Sequence, residues 1–254
     1  GVDVIAGGRL VIDVVTGVGN GGALETTVAS IDIDNTTSGN IEISETNAIT
    51  VFKILNGAAS DSQTGNVVIT ADGTITVDSA GGNGVAAAGG ATITLDANGG
   101  TSDLLVNDDI LTVGGAITLT ADNDVIFQAG GDIASTFGGS AGGAISVRAD
   151  ADNGGTSSGA LTMADGTVIN AAGGTIALFA DENITLGQVT TTNSGTTAVT
   201  LTSTEGGIVD GGDTGGADVI TAGGRLVIDA VTGVGSGGAL ETTVASVDID
   251  NATS

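Results

Sequence analysis

The chain has 254 residues and a net charge of −26, with 30 acidic residues against four basic ones, 46 glycines, and no Cys, His, Pro, Trp or Tyr. The missing Cys and His exclude disulfides, thiolate zinc sites and Ser–His or Cys–His nucleophiles. The scarcity of Lys and Arg argues against nucleic acid and anionic membrane surfaces as partners, and no apolar run reaches the length of a membrane helix. Abundant Ile, Val, Leu and Ala at regular spacing set the sequence apart from disordered chains.

In chain order, a motif recurs: Gly-x-Φ-x-Φ-x-small-Asp/Asn, with Φ being Ile, Leu or Val. Its first Φ residues are Leu10, Ile41, Val67, Ile93, Ile117, Ile145, Ile176, Val199 and Leu226, at intervals of 23 to 31 residues. Each motif alternates apolar and polar, the period-2 signature of a half-buried strand. A second apolar pair follows, as in Ile49/Val51, Ile75/Val77, Val125/Phe127 and Ile184/Leu186. A third, more variable stretch has Leu104, Ile133, Val168, Val189 and Val219 as candidates. Three strands and three corners in this length describe one coil of a parallel β-helix. Two inward columns are then aliphatic throughout, running from Ile41 to Leu226 and from Ile43 to Ile228. A third column is small, Ala71, Ala97, Ala121, Ala149, Ala180, Ser203 and Ala230, with Glu45 as its misfit.

A longer period overlies the short one. Residues 222–254 repeat residues 6–38 with 29 of 33 positions identical, at an offset of 216. The expected fold is therefore all-β: a parallel β-helix (β-solenoid) with about eight coils per 216-residue major repeat. Residues 1–254 are expected to be one continuous solenoid segment, an excerpt of a longer tandem array. At ~4.8 Å per coil, eight coils span about 38 Å.

The runs GGAITLTADNDVIFQAGGDI, from 114, and ADENITLGQVTTTNSGTTAVTLTSTEGGIVD, from 180, resemble the filamentous-haemagglutinin-like repeats of giant bacterial surface proteins. The resemblance covers nearly the whole chain. It implies a right-handed β-helix, export to the bacterial cell surface, and a role as adhesin stalk or fibre. The family shares no catalytic residues.

Several candidate sites follow from the residues. Acid pairs such as Asp32/Asp34, Asp122/Asp124 and Asp150/Asp152 lack the clustered Arg, Lys and aromatics that polysaccharide-cleaving β-helices use, so no enzyme is expected. GVGNGG from 17 lacks the following helix and Lys-Ser/Thr of a phosphate loop and reads as a corner. Asn35, Asn183 and Asn251 stand in N-x-T sequons, read as chance occurrences. The residue closing the motif is Asp72, Asn98, Asp122, Asp150 and Asp181 on successive coils. Stacked carboxylates repel unless cations or hydrogen bonds intervene. Asp72, Asp122, Asp124, Asp150, Asp152 and Asp181 are thus candidate calcium ligands, set against the simpler reading as turn residues that accept backbone hydrogen bonds. DADNGG from 150 loosely resembles a calcium loop without its full spacing. Thr118/Thr120 and Thr200/Thr202 form T-x-T pairs, which raise an ice-binding or polysaccharide-binding solenoid as the alternative. The favoured expectation is an extracellular structural segment whose partners are other copies of the repeat, in series or side by side, with no nucleic acid, no membrane insertion and no required cofactor.

Overall fold

The structure, a computed structural model, describes residues 1–57, 65–79, 84–136, 141–152, 159–214 and 216–252. All secondary structure among these residues is strand, and every pairing between named strands is parallel. The strands stack as a β-solenoid of about nine turns.

The motif strands form the first face. Ile41–Glu45, Val67–Ala71, Ile93–Ala97, Ile117–Ala121, Ile145–Arg148, Ile176–Ala180, Val199–Ser203, Arg225–Ala230 and Ser246–Asn251 pair in that order. The second face runs from Ile75–Val77 through Leu104–Val106, Val125–Phe127, Leu161–Met163, Ile184–Leu186 and Ile208–Asp210 to Val234–Ser236. The third runs from Val85–Ala87 through Ile110–Thr112, Ile133–Ala134, Val168–Ala172, Gln188–Thr191 and Val219–Thr221 to Thr242–Thr243. Ile49–Asn56 serves both, its first half pairing on the second face and its second half on the third.

Period-2 alternation decides which residues enter the core. Ile41, Val67, Ile93, Ile117, Ile145, Ile176, Val199 and Leu226 are all buried, as are the residues two positions on. Like stacks on like because the register is unshifted: Ile93, Ile117 and Ile145 are direct neighbours, as are Leu95, Leu119 and Val147. The third-stretch candidates need two corrections. Leu104 lies on the second face, between Ile75 and Val125. Ile169, not Val168, points inward on the third face, where it pairs with Ile133 and Val189. An aliphatic run of Val168-Ile169 offers two phases, and the neighbouring coil selects one.

The motif glycine has a steric cause. A Cβ on Gly115 would lie 1.8 Å from the Ala91 carbonyl oxygen of the preceding coil. At Gly65, Gly143 and Gly174 the distances to stacked carbonyl oxygens would be 2.1, 2.3 and 2.0 Å. A buried polar side chain at the end of the third face satisfies the same corner. Thr112 Oγ1 donates to Gly115 O at 2.7 Å, Ser135 Oγ to Gly143 O at 2.9 Å, and Thr221 Oγ1 to Gly224 O at 2.8 Å.

Glu45, the misfit of the small column, is 1% exposed yet satisfied. Its carboxylate accepts hydrogen bonds from Thr26 Oγ1 at 2.7 Å, Val28 N at 3.1 Å and Thr46 N at 3.0 Å. A buried carboxylate supplied with three donors escapes most of the cost of lost hydration.

The two 33-residue copies keep one internal register but occupy different faces. Leu10 pairs with Ile31 as Leu226 pairs with Val247, and Arg9–Asp32 at 3.9 Å recurs as Arg225–Asp248 at 3.1 Å. Yet Arg225–Ala230 stacks on the first face, whereas residues 9–14 lie, through residues 30–35, over Ile49–Asn56 on the second and third. The two copies therefore do not superpose at the level of the whole coil. Likewise, Leu10 is not in the column of Ile41, whose neighbour in the preceding turn is Val18. The 31-residue interval from Leu10 to Ile41 holds a complete 21-residue turn, Leu10 to Ile31, and part of another. Alternating sequences such as Leu-Val-Ile-Asp specify inside and outside, but not which of three faces they join.

Two outcomes are expected from this packing. Gly115→Ala should destabilise the chain by about 1–3 kcal/mol, the range for overpacking, while Gly7→Ala, with open space around its Cβ, should be near neutral. Leu119→Ala should cost about 2–5 kcal/mol, and Leu119→Asp more, since the core holds no partner for the charge. Leu178→Asp should behave likewise. Denaturant melts of the five variants measure this; a Gly115→Ala melt matching that of the unaltered chain would refute the steric account.

Candidate cation-binding corners and the outward face

Five successive motif strands end in a corner where an Asp or Asn follows the small inward residue, at Asp72, Asn98, Asp122, Asp150 and Asp181. The ladder continues into it: Asp72 N donates to Glu45 O at 3.0 Å, Asn98 N to Ala71 O at 2.8 Å, and Asp122 N to Ala97 O at 3.0 Å. The column then breaks. Asp150 adopts a left-handed φ of 55° and its N–H turns to Asn123 O, leaving Ala121 O to Ala151 N.

Two of the candidate carboxylates, Asp122 and Asp124, serve as backbone acceptors. Asp122, buried, takes the N–H groups of Gly99 and Gly100 at 2.7 and 2.9 Å on Oδ2. Asp124 Oδ1 takes Ala160 N at 2.8 Å, and Asp181 accepts the Thr204 hydroxyl. Burial pushes the Asp124 carboxyl above its usual value, opposed by the Ala160 hydrogen bond. Burial also raises Asp150, and the charges of Asp181 and Asp152 add to it while Arg148 opposes. Asp72 and Asp152 are exposed. Of the DADNGG run, residues 153–155 lie outside the described residues, as does Thr253 of the last sequon.

The acids do gather at a corner that the motif reading passed over. Among the described residues, one group of three carboxylates has oxygens within 4.8 Å of one another: Asp210, Asp218 and Glu241. None of the six sequence-named aspartates belongs to it. Asp210 ends a second-face strand. Asp218 immediately precedes the third-face strand Val219–Thr221, and Glu241 holds the same place one coil on, since Val219 pairs with Thr242. Asp218 is fully buried. Its Oδ2 accepts Glu241 N at 2.9 Å, while its Oδ1 is buried without a partner. Burial, reinforced by the charges of Asp210 and Glu241, raises its pKa from 3.8 to about 6, against the pull of the Glu241 N–H. A sequence signal for it exists. Gly1-Val-Asp-Val-Ile aligns with Gly216-Ala-Asp-Val-Ile once Thr221 is treated as an insertion, extending the repeat to Asp3 and Asp218. The contact recurs too, as Asp3 Oδ2 accepts Glu25 N at 3.2 Å.

The remaining candidates resolve into structural roles. Lys53 Nζ lies 2.6 Å from Asp34 and 3.7 Å from Asp32. The hydrogen bond to Asp34 raises the Lys53 pKa, against desolvation, with Asp34, Asp32 and Asp13 adding their charges. In the Gly-rich corner Gly17 N donates to Asn35 Oδ1 at 3.0 Å, Val18 N to Asn40 O at 2.7 Å and Gly22 N to Gly19 O at 3.0 Å, so these amides are already engaged. Asn35 is buried and its Nδ2 donates to Asn56 Oδ1 at 2.7 Å. Asn183 accepts Gly207 N at 2.9 Å, and Asn251 is exposed on the last described strand.

The outward residues of the first face form mixed columns. Thr118 stacks between Thr94 and Ser146, and Thr120 between Asp96 and Arg148. The Thr120 hydroxyl bonds to Asp96, and the Arg148 guanidinium lies 4.3 Å over the Phe179 ring. Thr202 stands beside Phe179 and Asp229. Neither T-x-T pair extends into a threonine array. No helix among the described residues is long and apolar enough to cross a membrane. No family model, no curated protein and no solved structure matches the chain.

The raised carboxyls give stability a definite pH dependence. Asp218, Asp150, Asp124 and Asp109, all raised chiefly by burial, bind protons more tightly folded than unfolded. Stability therefore falls as pH rises through their folded values; for Asp218 the window runs from 3.8 to about 6. In chelator at constant ionic strength, the melting temperature should be higher at pH 5 than at pH 7, and pH 5 stays above the pI of ≈ 4.1. A lower melting temperature at pH 5 would contradict the assignment.

Proposed function

We propose that this chain is a structural segment of an extracellular bacterial fibre or giant-adhesin stalk, supplying length and stiffness rather than chemistry. The observation that carries the reading is that one stack of parallel ladders takes in both copies of the repeated sequence. Arg225–Ala230, which opens the second copy, hydrogen-bonds directly to Val199–Ser203 of the preceding coil. A unit that receives its own repeat by strand pairing lengthens by stacking, and each added coil buries the face its neighbour leaves open. Partners are then further copies of the same repeat in series.

The composition supports the same reading. Thirty acidic residues on a 254-residue chain keep long parallel rods solvated and apart. Four basic residues leave little with which to grip an anionic polymer. The chain lacks Cys, whose oxidation would cross-link fibres outside the cell.

On cells that make the protein, antibodies raised against this segment should place immunogold along surface filaments, and external protease should remove the epitope from intact cells. Gold confined to the cell interior, with an epitope that survives protease until lysis, would overturn the proposal.

A further inference from the structure

We propose that Asp210, Asp218 and Glu241 hold a calcium ion that ties one coil of the solenoid to the next. This goes beyond the fibre reading and does not rest on it. Asp210 and Asp218 stand at either end of one corner, and Glu241 comes from the following coil, stacked on Asp218. The ligand oxygens lie within 4.8 Å of one another, close enough to face a single ion.

The unsatisfied oxygen is the independent observation. Carboxylates at other corners, such as Asp122, Asp124 and Asp132, take backbone N–H groups, but Asp218 Oδ1 is sealed from water and has no donor. A buried, unpaired carboxylate oxygen costs free energy in proportion to its lost hydration. The two nearest charged groups are also negative, so the protein worsens the problem. Arg9, Lys53 and Arg225 are paired elsewhere, with Asp32, Asp34 and Asp248. A cation satisfies all three carboxylates at once.

The backbone makes room for this arrangement. A Cβ on Gly238 would lie 1.8 Å from Asp210 Oδ2, so the Asp210 carboxylate fills the space a side chain would take on the next coil and packs against its backbone. Asp210 Oδ1 is held by Gly212 N at 2.8 Å, which fixes the side chain's direction. Glu241 is exposed and Asp210 half-buried, giving an ion and its waters access from solvent. Oxygen-only ligands of high negative charge select a hard cation. Calcium tolerates the irregular geometry of a corner and can complete its shell with carbonyls and water; magnesium demands an octahedron.

The test is calorimetric titration of calcium into the 254-residue chain in about 0.15 M potassium chloride, which screens diffuse counter-ion binding, with hydrogen exchange read in parallel. One saturable site per chain is expected, with slower exchange at Val219 and residues 241–243. Asp218→Asn should weaken binding by at least about tenfold and, by removing a buried charge, should melt higher than the unaltered chain in chelator. Glu241→Gln, at an exposed position, should also weaken binding and provides a variant whose folding is not in question. Asp122→Asn should bind as the unaltered chain does. An absence of saturable heat, or many weak sites indifferent to both Asp218→Asn and Glu241→Gln, would overturn the proposal.

Discussion

Each coil must pass within one strand spacing, about 4.8 Å, of the coil before it, and at the corner ahead of the motif strand the approach is closer still. Gly115, Gly143 and Gly174 sit where any Cβ would overlap a carbonyl oxygen of the preceding turn. The rest of the architecture follows from that contact. Corners that nest allow the motif strands to pair without register shift, and unshifted pairing puts Ile on Ile and Leu on Leu. The resulting core is mostly aliphatic, with Ile, Leu and Val in the two first-face columns, Ala at the corner, and Phe127 the one fully buried aromatic among the described residues.

Stacking identical positions also stacks their charges. An acidic residue placed at a corner for its turn-forming hydrogen bonds recurs a strand spacing away on the next coil. The solenoid meets this cost in three ways. Asp122 accepts hydrogen bonds from two glycine amides of the coil beneath. Asp150 leaves the column through a left-handed turn. Asp32 and Asp34 share Lys53 and Arg9. At Asp218 a single backbone amide, Glu241 N, serves one oxygen while the other is buried without a donor, which sets that corner apart.

Much of this fold could be read in the sequence, because alternation is a local signal. The motif strands, the inward columns from Ile41 and Ile43, and the small column from Ala71 follow from period-2 spacing alone. What escaped was information held by neighbours. Leu104 was misplaced because a short apolar pair does not say which face it joins. Val168 and Ile169 differ by one residue, and only Ile133 across the coil decides between them. The two copies of the repeat make the point most directly, since nearly identical residues take different faces beside different neighbours. The Asp210–Asp218–Glu241 corner was missed for a related reason. Its members lie on separate strands and two coils, and a one-residue insertion at Thr221 hides the repeat that links Asp218 to Asp3.

The central claim is that the unit extends by uninterrupted coil-on-coil stacking. The most direct measurement is small-angle X-ray scattering on arrays of one, two and three 216-residue units. Stacking without a hinge predicts that the maximum dimension grows by a constant increment of about 38–43 Å per unit, for eight or nine coils at a strand spacing of ~4.8 Å, while the cross-sectional radius stays fixed. Growth that falls off with unit number, with a cross-section that broadens as units are added, would mean folded beads on flexible joints and would contradict it.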